Sequence, residues 1–520
     1  MTMHRTTARN LALAGGAAAA VAGAAIKGAR PTLAGQVVHS STGPRRTPRV
    51  LLLGGGYVGL YTAFQLRKRL GREDVEIAIV DPRAYMTYQP FLPEAAAGSL
   101  EARHVVAPLR RELASCSVIT GEVTEVRHDE RRAVIKPIDG GTPYELRYDH
   151  LVVGLGAIPR VLPIPGLAER GFGFKQVEEA IALRNQVLNK MDAAASSWDP
   201  EERKRMLTFV FVGGGFAGVE ALGEVEDMAR AATRMYDSIS AEDLRFVLVE
   251  GMGRILPEVG EELGGYAIEQ LRERGVEIKL NTFLNSCEDG HVVLSDGTEF
   301  DSDTVVWTAG VKPNPVLANT DLPLDERGRV RVRATMQVAG DDGVVGGAWA
   351  AGDCAAVPDL TKGEGATTGP TAQHAVRQAK LLGENIAAVL TGREPKEYRH
   401  ENMGTVASLG LGKGVAQLRG IGPVGSIKLR GPLAWFAHRT YHMWAMPTLN
   451  RKVHIVLDWT TALLFRRELV ALGAMHHPRR AFVDAAGTGK APAPTGKEPD
   501  AAAGASESKQ PSAAGDTGRS

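Results

Sequence analysis

Two stretches of the chain carry residues whose types and spacing could hold a dinucleotide. One is Gly54-x-Gly56-x-x-Gly59 with Asp81 downstream; the other is Gly213-x-Gly215-x-x-Gly218 with Glu250 downstream. In such a stretch the first glycine makes a tight turn, the second lets the backbone approach a pyrophosphate, and the third packs a helix closely on a strand. The phosphates then lie on the amide-rich helix N-terminus, and the acid takes the hydroxyls of the adenosine ribose. Three glycines alone are a weak signal. A strand before them, a helix after them and a second strand ending on an acid make it strong.

Those elements are expected in both places. Residues 50–53 are a short apolar run that predicts a buried parallel strand, Leu60, Phe64 and Leu70 are spaced for burial on a helix, and residues 75–80 predict a strand ending on Asp81. The order then repeats, with an apolar strand over 208–212, the second glycines, a long helical stretch and a strand over 244–249 ending on Glu250. The first glycine and the Asp of the closing strand are 95 residues apart in one half (Gly54 to Asp149) and 88 in the other (Gly213 to Asp301). Two dinucleotide folds, and hence two dinucleotides, follow. Glu250 lies further from its glycines than the ~20 residues the fingerprint expects, because a longer helix and loop occupy residues 220–243. Both acids favour ribose hydroxyls over a 2′-phosphate, so the second site reads as one for NAD(H) rather than NADP(H). Arg254 nearby argues the other way.

At 520 residues there is room for two or three domains, and 44% hydrophobic with 23% charged residues is ordinary globular usage. A net charge of +1 argues against a nucleic-acid partner. Cys116, Cys287 and Cys354 are far apart with no CxxC, which leaves neither a disulfide framework nor a metal site and suggests a reducing compartment. Residues 11–26 are an Ala/Gly-rich apolar stretch, shorter than the ~20 residues a spanning helix needs. With Arg5 and Arg9 ahead of it, residues 1–47 read as a disordered extension, an extra membrane anchor or a signal segment. Residues 481–520, rich in Ala, Pro, Gly, Ser and Lys, read as a disordered tail.

Trp349-Ala350-Ala351-Gly352-Asp353-Cys354 reads as a short strand turning into a loop with an acid at its end. Returning to the first sheet would set Asp353 beside the first dinucleotide, with the second fold inserted into the first. With these residues assembled, the chain resembles the two-dinucleotide-fold flavoproteins, and among them the type II NADH dehydrogenases, which are single-subunit NADH:quinone oxidoreductases. The shared marks are GGGYVG, YQPFLPEAA, GGGFAGVEALGE, the TAG at 308–310, WAAGDCA, TAQHAVRQ and an aromatic, basic C-terminus, covering about residues 48–476.

The resemblance implies FAD on Gly54, Gly56, Gly59, Asp81 and Asp353, and NADH on Gly213, Gly215, Gly218 and Glu250. It also implies a membrane quinone, menaquinone or ubiquinone, approaching the flavin near Gln373. The implied activity passes a hydride from NADH to FAD and electrons to quinone without proton pumping, at the cytoplasmic face of the cell membrane, with a homodimer left open. The relatives usually write AQxAxQ at the quinone side. Here Ala372-Gln373-His374-Ala375-Val376 is followed by Arg377, with a glutamine only at 378. His374 or Arg377 could bond a quinone oxygen, and both fit a solvated helix face equally well. Glu220, in the first turn of the second glycine helix, is implied to lie near the nicotinamide and flavin, where it could tune hydride transfer or help deliver a proton. An acid in a first turn is also favoured by the helix dipole alone, by ~0.3 to 1 kcal/mol.

A flavin reduced by NADH needs a second acceptor, and no cysteine pair is available to serve as one. Two other readings stay open, a soluble NADH-dependent reductase of a ferredoxin- or rubredoxin-like protein and a non-enzymatic flavoprotein that senses NADH. The C-terminus separates the first of these from a quinone reductase. Within 432–467 two helices are predicted, over 433–446 and 453–465, neither long enough to span a bilayer. Val453, Val456, Leu457, Thr460 and Leu464 share one face, and Trp435, Trp444 and Trp459 suit a headgroup boundary. Residues 427–480 carry nine Lys/Arg and two Asp/Glu, a net of +7. The expected architecture is therefore α/β, with two Rossmann-like domains and a C-terminal amphipathic helical membrane-binding region. Its parts are 1–47, an N-terminal extension; 48–165 and 326–395, the FAD-binding domain; 166–325, the inserted NADH-binding domain; 396–480, the membrane-associating region; and 481–520, the tail.

Overall fold

The computed structural model describes residues 47–363, 365–401, 403–419 and 425–472. The expectations for the N-terminal extension before residue 47 and for the tail at 481–520 lie outside the described residues. In chain order the first fold begins with β1 (Arg49–Leu53), α1 (Tyr57–Arg69), β2 (Glu76–Asp81), a short α2 (Leu92–Ala96), β3 (Ser117–Arg127) and β4 (His150–Val153). Next come α3 (Val177–Ser196), β5 (Thr208–Val212), α4 (Phe216–Ala232), β6 (Arg245–Glu250), β7 (Glu277–Leu280) and β8 (Thr304–Trp307). The chain ends on β9 (Gly343–Ala350), α5 (Ala372–Leu390), β10 (Gly404–Ser408), β11 (Gly414–Arg419), β12 (Ser426–Arg430), α6 (Gly431–Ala445) and α7 (Leu449–Phe465).

The first sheet has a parallel core in the order β9-β4-β1-β2-β3, edged by antiparallel strands at Gln337–Gly340 on one side and at Arg132–Pro137 and Tyr144–Arg147 on the other. A central parallel strand is covered on both faces, which is why β1 reads as an unbroken apolar run with every residue buried. The second sheet is parallel in the order β8-β5-β6-β7. Because β9 rejoins the first sheet beside β4, the second sheet is formed entirely by chain between two strands of the first.

The region after residue 400 departs from a simple pair of surface helices. β10, β11 and β12 form an antiparallel sheet, and α6 and α7 follow, separated at Met446-Pro447-Thr448, where the Thr448 hydroxyl accepts the Arg451 amide and caps α7. No described helix is long and apolar enough to cross a membrane. Ala434, His438, Met446 and Ile455 are buried. Of the three tryptophans expected at a headgroup boundary only Trp444 is exposed. Trp435 and Trp459 are half-buried and both face the Arg439 guanidinium, whose carbon lies 4.1 and 4.9 Å from their ring centroids. An indole on an amphipathic helix goes where a partner is, and the half-buried Arg439 cation offers one.

Candidate functional site

The two glycine turns are built alike. Gly54 and Gly213 both have positive φ, +102° and +114°, and a side chain on either would run into backbone or side-chain atoms beyond the strand. A Cβ on Gly59 or Gly218 would collide with the carbonyl oxygen of Gly54 or Gly213, so only glycine lets each helix sit this close to its strand. Gly56 and Gly215, at the helix starts, have open space in front of them, and no side chain caps α1 or α4. Their first amides are thus left for an anionic ligand.

The acids lock the turns in the same manner. Asp81 accepts the Gly55 amide at 2.7 Å and the Arg83 amide at 2.7 Å. Glu250 accepts the Gly214 amide and, at 2.7 Å, the Met252 amide. In each case the acid holds the middle glycine and its own chain two residues on. The lone pairs that remain are available to ribose hydroxyls. Burial raises the Asp81 carboxyl above its usual range, against the two amides that favour its charge. Arg254 is exposed.

Asp353 stands in the turn that follows β9, 3.8 Å from the ammonium of Lys175. Burial raises this acid and lowers the lysine, each opposed by the other's charge. A cavity of about 580 Å³ opens at Gly352 and Asp353 and is edged by the cations Arg160, Lys312, Arg327 and Arg329. The uncapped helix amides with half-buried Asp81 suit the phosphates and ribose of FAD, and the cation-edged cavity at half-buried Asp353 has the size to take its ribityl side. Gln378 is fully buried, accepting the Gly352 amide at 2.8 Å and donating to Thr368 Oγ1 at 2.9 Å. It secures the Asp353 turn, which removes it from the choice of quinone-side residues.

Gln373 and His374 lie in the first turn of α5. Gln373 donates to the Gly404 carbonyl at 3.4 Å and meets His400 at 3.4 Å. His374 Nδ1 is 2.8 Å from the Tyr398 hydroxyl, and burial lowers its pKa. Arg377 donates back to the Gln373 carbonyl. Glu220 meets the same strand at its other end, accepting the Ser408 amide at 2.9 Å. Gln373 and Glu220 are therefore separated along β10 by four residues, roughly 13 Å at strand rise.

Glu220 belongs to a buried polar layer between α4 and the C-terminal elements. His438 Nε2 lies 3.0 Å from its Oε1, and both residues are buried. Burial opposes a charge on His438, but Glu220, Glu94 and Glu224 outweigh it and raise its pKa. Glu94, from the YQPFLPE stretch, is 2.9 Å from Arg439 and accepts the Trp459 indole N–H at 2.6 Å. Glu224 accepts the Ser408 hydroxyl, and Arg467 Nη2 approaches it to 3.6 Å. Asp227 is 2.9 Å from Arg274, yet burial raises it to about 6. Sequence reasoning found Glu220 but missed Lys175, Glu94 and His438; it gave Arg439 and Arg467 to the membrane-side cations and Gln378 to the quinone-side segment, where the structure sets them against Glu94, Glu224 and the Asp353 turn. The one local signal was polarity in apolar surroundings, such as Glu94 between Leu92 and Ala95 or His438 in an aromatic helix.

The three cysteines are free, Cys287 and Cys354 are buried, and burial pushes the Cys354 thiol up to about 12. A thiol held protonated beside Asp353 is a poor redox partner.

Residues 48–379 match the pyridine nucleotide-disulphide oxidoreductase family. The chain is 30% identical to the type II NADH:quinone oxidoreductase Ndh of Mycobacterium tuberculosis, over 82% of this chain and 90% of the relative. It is 31% identical to a type II NADH:quinone oxidoreductase of Staphylococcus aureus, over 72% and 90%. Among solved structures, NDH2 from Plasmodium falciparum in complex with NADH superposes with a TM-score of 0.74 at 18% identity, over 82% of this chain and all of that one, a likeness of fold.

Proposed function

We propose a function from one premise: the chain belongs to the pyridine nucleotide-disulphide oxidoreductase family and, within it, to the type II NADH:quinone oxidoreductases. It is an FAD-dependent enzyme that takes a hydride from NADH and passes the electrons to a quinone. FAD, when bound, accepts the hydride and hands on the electrons; the protein binds, orients and tunes.

In this reading the amides behind Gly54, Gly56 and Gly59 hold the FAD phosphates, Asp81 its adenosine ribose and Asp353 its ribityl chain, with Lys175 beside Asp353 and Gln378 fixing that turn. Gly213, Gly215 and Gly218 hold the NADH phosphates, and Glu250 discriminates against a 2′-phosphate. Glu220 lies one helical turn from the NADH glycines, paired with His438, where it can tune the charge near the nicotinamide. Gln373 and His374 stand at the quinone side. The observation that carries the function is the pair of identically locked glycine turns on two parallel sheets, with no cysteine pair to take the electrons. Anaerobic NADH should bleach the yellow protein, and a short-chain quinone should restore the colour. A protein that bleaches but is not reoxidised by quinone would return the soluble ferredoxin- or rubredoxin-reductase reading.

Membrane attachment, on the cytoplasmic side where NADH is available, is part of the same proposal. Leu433, Phe436, Trp444, Leu457, Leu464 and Phe465 are all more than half exposed along α6 and α7, a clustering of large exposed apolar side chains of the kind that marks a membrane or partner surface. Charge contributes less than the net of +7 suggests. Lys428 and Arg430 are paired with Glu262, Arg439 with Glu94, and Arg467 reaches Glu224. Truncation near residue 425 would strip the partners from Glu94, Glu220 and Glu224, so it is no clean removal of an anchor. Phe436→Glu with Leu464→Glu should instead abolish co-sedimentation with anionic vesicles while NADH still bleaches the protein. Unchanged sedimentation would remove the attachment.

A further inference from the structure

The reaction as read, NADH + H⁺ + quinone → NAD⁺ + quinol, consumes one proton from solvent beyond the hydride, and a quinone held in an apolar platform is cut off from bulk water. The buried layer beneath that platform holds a row of exchangeable groups. Glu220 Oε1 lies 3.0 Å from His438 Nε2. The rings of His438 and His442, one turn apart on α6, are 4.5 Å apart between centroids. His442 Nδ1 is 3.1 Å from the Tyr88 hydroxyl. The row ends beside the first dinucleotide. Tyr57, which follows Gly56, has its ring 6.2 Å from that of Tyr88, and the next residue, Gln89, bonds to the carbonyl of Lys175, the partner of Asp353. At the other end Glu220 sits in the second turn of the NADH helix, four residues past Phe216, and not in the first turn that its spacing suggested.

We propose that His438, His442 and Tyr88 form the proton path of this chain, drawing a proton in at Glu220 on the NADH side and releasing it from the Tyr88 hydroxyl toward quinone beside FAD. The proposal rests on the quinone-reductase reading above. The ring-to-ring step has no hydrogen bond of its own in the structure, and with the rings already in contact it is a ring rotation that must close it. His438 Nδ1, buried and without a hydrogen-bond partner among the described residues, is a free position for that step. At each passage one N–H or O–H bond breaks as the next forms, and no electron moves along the row.

The surroundings divide the two histidines. His438 faces Glu220 and Glu224 from α4 and Glu94 from α2, and these overcome burial and favour its charge. His442 faces Tyr88 and Phe91 from the loop before α2, and Tyr441 and His438 on its own helix; burial and then the His438 charge hold it neutral. A charged donor beside a neutral acceptor is the arrangement a relay needs, and pairs pushed apart in this way assign acid and base.

The test uses the full-length, FAD-loaded protein under anaerobic conditions, with Tyr88→Phe and His442→Gln compared with the parent. Bleaching by NADH should be unchanged, while reoxidation by a short-chain quinone slows by about tenfold or more, at the lower edge of what a positioned proton donor contributes. A second readout does not depend on turnover. Because the folded pKa of His442 is lowered, its neutral form costs stability as pH falls below 6.5, so His442→Gln should flatten melting temperature against pH on the acid side. Because that of His438 is raised, its stabilising charge is lost as pH rises above 6.5, so His438→Gln should flatten the alkaline side. Parent-like reoxidation in Tyr88→Phe overturns the path, and so does an equal slowing of bleaching and reoxidation, which is a packing effect. If His442→Gln fails to fold, Tyr88→Phe decides alone. A parent protein that bleaches but is never reoxidised by quinone would instead sink the functional reading itself.

Discussion

The turn at Gly54–Asp81 and the turn at Gly213–Glu250 share a strand, three glycines, an uncapped helix and an acid that grips the middle glycine. They part at the helix that follows. α1 carries no acid and lies against α5, with Thr62 donating to the Ala379 carbonyl and the Gly383 backbone close to Gln65. α4 carries Glu220, Glu224, Glu226 and Asp227, all gripped by later chain or by Arg230 and Arg274. A turn builds a nucleotide site, whereas the outer face of its helix decides what that site is coupled to. The first helix is fixed in the body and suits a cofactor that stays. The second is tied to the C-terminal elements and, on the function proposed above, suits a substrate that comes and goes.

Swapping a glycine for alanine breaks the comparison most severely, since neither carbonyl can retreat. Gly59→Ala should give colourless protein that has lost FAD. Gly218→Ala should stay yellow but bleach with NADH at least about a hundredfold more slowly, a loss of roughly 3 kcal/mol. Absorbance spectra and stopped-flow traces decide both, and FAD loss in Gly218→Ala would mean that the two turns are not independent.

The acids come next. Asp81→Ala should weaken FAD retention, and Glu250→Ala should narrow the preference for NADH over NADPH, each by about tenfold, or ~1.4 kcal/mol. Equal rates with both nucleotides in the parent protein would refute the role given to Glu250.

The smallest effect is a pH dependence in the acid range, which the first helix, having no acid, lacks. Asp227 has a folded pKa raised to about 6 from 3.8. The stability it contributes is therefore full below 3.8 and lost as pH rises through about 6. Asp227→Asn should flatten the fall in melting temperature over that interval. An unchanged slope would mean that Arg274 and Arg467 offset the burial completely.

Both turns were legible in the chain because their signals are local. The apolar run of β1, the glycines and Asp81 fall within 33 residues, and periodicity with glycine sterics forces each element. The C-terminal region was legible only in part. Its two helices and their apolar stripe followed from spacing, but Trp435 and Trp459 face Arg439, and four of the nine cations proved to be paired with acids of the body. Amphipathic spacing says which residues share a face. It does not say which face meets the body.

By itself, the sequence determined two dinucleotide turns, the acids that complete them, the lack of a cysteine pair and a resemblance that pointed to NADH and quinone. Only the tertiary structure decided what Glu220 touches, because its partners Ser408 and His438 stand 188 and 218 residues further along the chain. The same holds for Glu94, which meets Trp459 across 365 residues. A glycine turn is specified by the conformations open to a few adjacent residues. A buried ion pair is specified by which surfaces the whole chain brings together, and that information is written in no single stretch.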